Sequence, residues 1–273
     1  MLMGLHTWLD LVYSEPLFFE VVVVTSLVAL GAFIVFSVPM TALMVWTPRW
    51  LEPYRIQPRR PDFRQLIRAS AWHLVRNFAI AFVASCAAWP LLRASAIHAG
   101  PVAPGWLVAL EVGTFVFLDD FLFYWAHRWL HESRWLYRKV HRVHHLATTP
   151  IALAGNFMHP VEFLIISTLV FVGPVLVGAH VVTLWVWVVV RQWEAAWHHS
   201  GLTLPPRVLR WVPLYDGPAH HDFHHSKFIG NYAGLFSYTD RLFGTESKRF
   251  REFLATGLTA TAAIDDPYAS GER

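Results

Sequence analysis

The chain has 273 residues, 55% hydrophobic and only 15% charged, with 14 Trp and 20 Phe, where an ordinary soluble domain has roughly 45–50% apolar and about 25% charged residues. That balance, with a mean hydropathy of +0.38, excludes a disordered chain and argues against a water-soluble globule; the solvent it fits is lipid. The net charge of +3 and pI near 9.2 read as membrane topology and not as nucleic-acid binding, because the basic residues flank apolar segments.

Residues 17–46 run for 30 mostly apolar positions with one acid, Glu20, and about 20 such residues cross ~30 Å of hydrocarbon as a helix. No Lys or Arg precedes this stretch, so it lacks the basic start of a cleaved signal peptide and is expected to persist as an anchor. Residues 72–92 and 105–126 predict two further spans, the latter carrying Glu111, Asp119 and Asp120. Residues 161–197 are too long for one span, and Gly173, Pro174 and Gly178 predict a hairpin of two shorter helices. The expected fold is all-α and integral to the membrane, with four to five transmembrane or membrane-embedded helices.

Basic residues orient this layout. Arg49, Arg55, Arg59, Arg60, Arg64 and Arg68 follow the first span, and Arg128, Arg134, Arg138, Lys139 and Arg142 follow the third, with only Arg93 between the second and third. The positive-inside rule places the N-terminus outside, and the basic loops, the histidine-rich regions and the C-terminus in the cytoplasm.

The lone cysteine, Cys86, excludes an intramolecular disulfide, a cysteine-type zinc site and an iron–sulfur centre. Metal chemistry would need other ligands, and the chain has 16 His. They cluster as His127 and His131 in HRWLH, His141, His144 and His145 in HRVHH, His198 and His199 in WHHSG, and His220, His221, His224 and His225 in HHDFHH. Spacings of three and four put side chains on one helix face. The isolated His6, His73, His98 and His180 read as hydrogen-bonded packing residues.

A merely basic loop would use Lys and Arg, whereas imidazole is mostly neutral at pH 7 and suits Fe, Zn and Cu. No HExxH hydrolase signature occurs, and zinc has no redox chemistry. Eight or more neutral imidazoles around a dinuclear centre suit iron that reduces O2 to attack an unactivated C–H bond. A haem electron carrier is the contrasting class, but haem takes only one or two axial His per iron, a poor match to three dense clusters.

At these residues the chain resembles the fatty acid hydroxylase/sterol desaturase superfamily, with its HX3H, HX2HH and HX2HH boxes, over residues 52–247. Within it the resemblance is strongest to the C-4 methylsterol monooxygenases, carried by YRIQ (54–57), DDFLFYWAHRWLH, KVHRVHH, MHPVE and HHDFHHSKFIGNY followed by DRLFGTES. Where an ETxDxHSG-type segment is expected, the chain reads EAAWHHSG, keeping Glu194 and His199. The resemblance implies a membrane anchor carrying a cytosolic, histidine-lined di-iron cap that takes lipid from the bilayer. Residues 1–50 then form an N-terminal anchor, 52–247 the core, and 248–273 a tail, all in one domain.

The expected iron ligands are His127, His131, His141, His144, His145, His199, His221, His224 and His225, with His159 as a tenth and His198 and His220 as alternates to their neighbours. Metal-bound imidazoles usually hand their other N–H to a carboxylate or carbonyl, which makes Asp120, Glu194 and Asp222 the expected supporting acids, with Asp119 and Glu162 behind them. Asn231 and Tyr232 are candidates for positioning the last cluster. Trp125, Trp129, Trp135, Trp193 and Trp197 fit a lipid slot and an interfacial belt equally. The expected activity is O2-dependent hydroxylation of a sterol C-4 methyl or related lipid. Two non-haem irons would be the cofactor, with electrons from an external cytochrome b5-like or ferredoxin donor. Fatty acyl or carotenoid hydroxylation or desaturation is the alternative inside the superfamily.

Overall fold

The computed structural model describes residues 13–204 and 211–256. The beginning of the predicted anchor and most of the predicted tail lie outside the described residues. Among the described residues the fold is helical and contains no strand; Arg55 with Leu202 and His98 with His180 form isolated backbone bridges.

Helix α1 (Pro16–Trp46) is continuous apart from a π-helical stretch at Phe19–Val24. The loosened turn is satisfied from outside: the Trp185 indole N–H donates to Thr25 Oγ1 at 3.1 Å. Phe33, Ser37, Thr41 and Met44 are buried, a spacing of four and three that makes one stripe, whereas Leu27, Val35 and Val38 face outward. Thr41 Oγ1 accepts from the Leu153 backbone N–H at 3.1 Å, joining α1 to a 3-10 turn at Ala152–Asn156.

Helix α2 (Phe63–Arg93) is capped by Asp62, whose side chain accepts from the Gln65 N–H; such a cap contributes about 1 kcal/mol. It begins well before the predicted 72–92 span. Helix α3 (Gly105–Glu132) carries a buried stripe of Phe115, Asp119, Asp120, Tyr124 and His127, and it runs past the predicted end at residue 126 to include His131. A short α4 (Arg134–Lys139) leads into a 3-10 turn at His141–Leu146.

Helices α5 (Pro160–Val177) and α6 (Val181–His198) divide the predicted 161–197 hairpin. The break falls at Gly178, a left-handed cap with φ 67°, while Gly173 and Pro174 stay inside α5 and are buried there. A Cβ on Gly173 would come 2.5 Å from the Phe115 ring, so the glycine permits the close crossing of α3 and α5. His180 caps α6, and His98 Nδ1 donates to the Gly178 carbonyl, structural duties for both. Helices α7 (Pro218–Lys227) and α8 (Tyr238–Phe243) complete the part of the fold that bears on the site.

Among the described residues three helices, α1, α2 and α5, are long and apolar enough to cross a membrane. The expectation of four to five is reduced at this level because α3 contains Glu111, Asp119 and Asp120 and α6 contains Arg191 and Glu194, charges that lower their apolar content.

Candidate metal centre

Nine histidines from four elements converge beyond one end of the helix bundle. They are His127 and His131 on the last turns of α3, His141, His144 and His145 on the 3-10 turn, His199 after α6, and His221, His224 and His225 on α7. Their ring nitrogens form two groups, His127, His131, His141, His145 and His224 in one and His144, His199, His221 and His225 in the other, with all atoms of a group within 4.8 Å of one another. The groups adjoin: the His145 ring centroid lies 4.8 Å from that of His224 in its own group and 5.0 Å from that of His225 in the other.

Hydrogen bonds fix the tautomers. Nδ1–H donates to a backbone carbonyl at His127 (Tyr232, 2.7 Å), His224 (Gly230, 2.7 Å), His199 (Ala195, 2.8 Å), His144 (Phe157, 3.1 Å) and His225 (Ala147, 3.1 Å). A neutral ring protonated at Nδ1 carries its lone pair on Nε2, and the Nε2 atoms face each other. In the first group His131, His141 and His145 stand 2.8–3.0 Å apart, with His224 3.1 Å from His131. In the second, His199 is 3.3 Å from His144 and 3.1 Å from His221, which is 3.2 Å from His225.

Converging lone pairs repel, so this geometry makes physical sense around a cation. Two nitrogens each about 2.1 Å from one ion and at right angles are about 3.0 Å apart. His127 Nε2 is buried with no hydrogen-bond partner among the described residues, as a lone pair reserved for an ion would be. The donor set therefore fits two metal ions. Burial holds the rings neutral: it lowers His144 to about 4 and, with neighbouring imidazoles adding to the effect, pushes His141, His145, His221, His224 and His225 well below the ordinary 6.5.

The scaffold behind the rings is polar and tied down. On α2, Asn77 Nδ2 donates to the Asn156 and Met158 carbonyls, and Arg76 and His73 also reach Met158 O; between them sits Phe157, whose carbonyl receives His144. Gln57, in the YRIQ stretch, donates to Thr148 O and to Asp222 Oδ1 and accepts from Thr149, fastening α7 to the loop that receives His225. Gly155 is required where that 3-10 turn meets α6, since a Cβ there would lie 2.7 Å from Ala195 O.

Asp240 is the supporting residue that sequence reasoning missed. Its carboxylate accepts from the Tyr232 and Ala233 N–H groups at 2.9 and 2.7 Å and from Thr245 at 2.6 Å, and His220 Nε2 is 3.4 Å away. Burial alone would raise it, but these hydrogen bonds outweigh burial and hold it at about 2. It thereby fixes the loop whose carbonyls at 230 and 232 orient His224 and His127. Asn231, at φ 57°, is fully buried and bonds His220 O and Ser247 N. DRLFGTES offered a signal, because an acid four residues before a turn glycine was available as a loop clamp.

Other sequence-level candidates sit elsewhere. His159 belongs to neither group; it caps α5, accepting from the Val161 N–H, because a residue before Pro160 occupies the cap position. His198 donates to Glu194 O and belongs to neither group. The expected supporting acids give a correction. Asp120 accepts from Leu235 N and Phe236 N, Asp222 from Gln57, and Glu194 pairs with Arg191, which also binds Asp119. The carboxylate on a grouped histidine is instead Glu162, which accepts from His141 Nδ1 at 2.7 Å. Trp125, Trp129, Trp135 and Trp193 are exposed, and Trp197 donates to Tyr215.

A cavity touches both groups through His127, His141, His144, His199 and His221 and continues along Phe163, Ser167, Val170 and Gln192. Those last four residues also line a cleft between α1, α2, α5 and α6, so the histidine cavity adjoins the space among the three apolar helices.

A family model described as fatty acid hydroxylase matches residues 112–245. Methylsterol monooxygenase 2-2 of Arabidopsis thaliana is 35% identical over 201 residues, 72% of this chain and 75% of that protein. Very-long-chain aldehyde decarbonylase GL1-10 of Oryza sativa subsp. japonica is 34% identical over 224 residues, covering 78% and 73%. Methylsterol monooxygenase 1-3 of Arabidopsis thaliana is 30% identical over 223 residues, covering 78% and 75%. No solved structure matches the chain.

Proposed function

The chain belongs to the fatty acid hydroxylase family, and from that premise we propose that it is a membrane-bound, O2-dependent di-iron monooxygenase of lipids, acting on a sterol C-4 methyl or a closely related C–H bond. The observation that carries this reading is the pair of imidazole clusters, in which six of the nine rings commit Nδ1, five to backbone carbonyls and His141 to Glu162, and leave Nε2 free for an ion. His127, His131, His141, His145 and His224 would hold one ion, and His144, His199, His221 and His225 the other. Bound there, iron supplies the redox chemistry that zinc lacks. The reaction balances as R–H + O2 + 2 e− + 2 H+ giving R–OH + H2O, with the electrons drawn from a reduced cytochrome b5-like protein or ferredoxin.

The protein's own residues place the ligands, keep the imidazoles neutral, and line a dry cavity. Residues 52–247 form the working core, 1–50 the anchor and 248–273 the tail. Helices α1, α2 and α5 cross the bilayer, with α3 and α6 embedded beside them, making the four to five membrane helices. The histidine end lies on the cytoplasmic side and the N-terminus outside. Supporting this orientation, the Arg-rich stretch after α1 meets the end of α6, where Ile56 N donates to Gly201 O, so the basic segments and the metal centre share one side.

Iron and zinc content per chain of the detergent-purified protein tests the reading. Close to two non-haem irons, lost in His144→Ala, is the expected result; a Soret band, or no metal after iron-supplemented growth, overturns it. The decarbonylase relative favours a second reading, action on a long-chain aldehyde, and lipid products from cells with and without the gene separate the two.

A further inference from the structure

The two histidine groups differ in how close they come to the outside. All four rings of the second group are buried, whereas in the first His131 is only partly buried. The cavity that adjoins the apolar helices is lined by His127, His141, His144, His199 and His221, but not by His131, His145 or His224. Those three rings meet an aromatic layer instead. Between ring centroids, Tyr137 lies 5.4 Å from His131, Phe228 5.2 Å from His145, and Tyr232 5.0 Å from His131 and 5.7 Å from His224. Tyr137 and Tyr232 are half-buried and Phe228 is exposed, so a single layer of side chains separates the five-histidine group from the surface.

The surface around Tyr137 is basic. Residues 133–161 contain no Asp or Glu, and Arg134, Arg138 and Lys139 on α4 and Arg142 on the 3-10 turn are all exposed. None of the four has an ion-pair partner among the described residues, and the preceding acid, Glu132, is already bound by Arg128. Arg142 is near enough to act electrostatically on the Tyr137 hydroxyl. The basic stretch after α1 differs, since Arg55 and Arg60 there are paired with Glu52. Trp135 and Leu146 stand exposed among the unpaired cations, and a large aromatic beside arginines is a composition that protein interfaces favour. A one-signed patch steers an oppositely charged partner onto itself. Anionic headgroups would answer the same charges, but this face covers the rings that the lipid-adjoining cavity does not reach.

We propose that the face built from α4 and the following 3-10 turn is the docking surface of a small acidic one-electron carrier protein, seated over the five-histidine group. Each docking moves one electron: the carrier is oxidised by one electron and the ion held by the five histidines is reduced by one. Two dockings supply the 2 e− of the hydroxylation. Electron transfer falls steeply with distance, so a carrier too large to enter the fold delivers where the covering layer is one side chain thick. The inference rests on the oxygenase reading and adds the place where its electrons arrive.

Binding of a fluorescently labelled plant-type ferredoxin, an acidic carrier, to the full-length protein in phosphatidylcholine nanodiscs tests it. Reversing three charges together, Arg134→Glu, Arg138→Glu and Lys139→Glu, should weaken binding at least about tenfold at low salt while iron content stays at the wild-type level. The matched reversal Arg59→Glu, Arg64→Glu and Arg68→Glu on the other basic stretch should change it less than about twofold. If the α4 triple variant does not fold, Arg138→Glu alone carries the comparison, with a loss of about threefold. The chain's lysines are Lys139, Lys227 and Lys248, and carbodiimide coupling should join a ferredoxin carboxylate to Lys139. No binding by the wild type, equal losses in the two triple variants, or coupling that spares Lys139 overturns the proposal. Binding in detergent that disappears in the nanodiscs also overturns it and assigns the face to headgroups. Reduction and turnover are read in parallel. Dithionite should reduce the iron of wild type and α4 variant at equal rates, and pre-reduced ferredoxin should reduce the variant at least about tenfold more slowly. Docking at Lys139 with no oxidised lipid sinks the oxygenase reading and keeps the surface, and ferredoxin-driven turnover that is equal in wild type and variant does the reverse.

Discussion

The lipid-facing surfaces of α1 and α2 and the histidine end of the bundle solve opposite problems. Along α1 and α2, Val35, Val83 and Leu91 are 65%, 67% and 79% exposed, and this is their stable state, since hydrocarbon is as apolar as they are. At the histidine end, His141, His224, His225, Asp222 and Asp240 are completely buried, each against the cost of removing polar groups from water. The first region tolerates loose patterning because one apolar side chain replaces another. The second depends on particular pairings, such as Asp240 with the 232–233 backbone and Gln57 with Asp222.

Removing a ligand should break the comparison most visibly. His224→Ala and His144→Ala are each expected to abolish turnover and empty one ion from the centre while leaving membrane insertion intact, read by metal analysis and protease accessibility. Retained iron in either variant would take that residue out of the set. Next is Asp240→Ala, which strips the 232–233 backbone and Thr245 of their acceptor. It should cost about 3–5 kcal/mol, seen as a lower apparent melting temperature with iron loss, although Asp240 touches no grouped ring except through the loop.

Acid should sharpen the contrast. His144 is neutral down to about 4 when folded, against 6.5 for a free imidazole, so between those values the unfolded chain binds more protons than the folded one. Stability therefore rises with pH across this window and falls as pH drops from about 6.5 towards 4. Iron should stay bound at pH 6 and leave near pH 4, followed by metal analysis after rapid desalting; iron retained well below pH 4 would argue against imidazole ligation.

Gln57→Leu is expected to have a smaller effect, about 1–2 kcal/mol, because it orphans Asp222 and Thr149 but no grouped histidine. Val83→Leu, on the lipid face, should change the melting temperature by less than the error of measurement, corresponding to under about 0.5 kcal/mol.

The sequence by itself determined the apolar segments, the inventory of nine histidines and several local stops, because hydropathy runs, i,i+4 spacing and caps such as Asp62 and Gly178 are set within a few residues. It also held a clue to two ions. Neighbouring side chains point about 100° apart on an α-helix, as at His224–His225, and about 120° apart on a 3-10 turn, as at His144–His145, so one ion does not readily take both. Only the tertiary structure decided the division into five and four, which sends His145 and His224 to one group and His144 and His225 to the other. It also decided that Glu162 and not Asp120, Glu194 or Asp222 meets a grouped ring, that His159 is a cap, and that Asp240 clamps the loop. The physical reason is that a helix fixes the angle between its own side chains, while the element that lies opposite them, and hence the partner a buried polar atom finds, is set by packing between segments far apart in the chain, as in the contact between His127 and Tyr232, 105 residues apart.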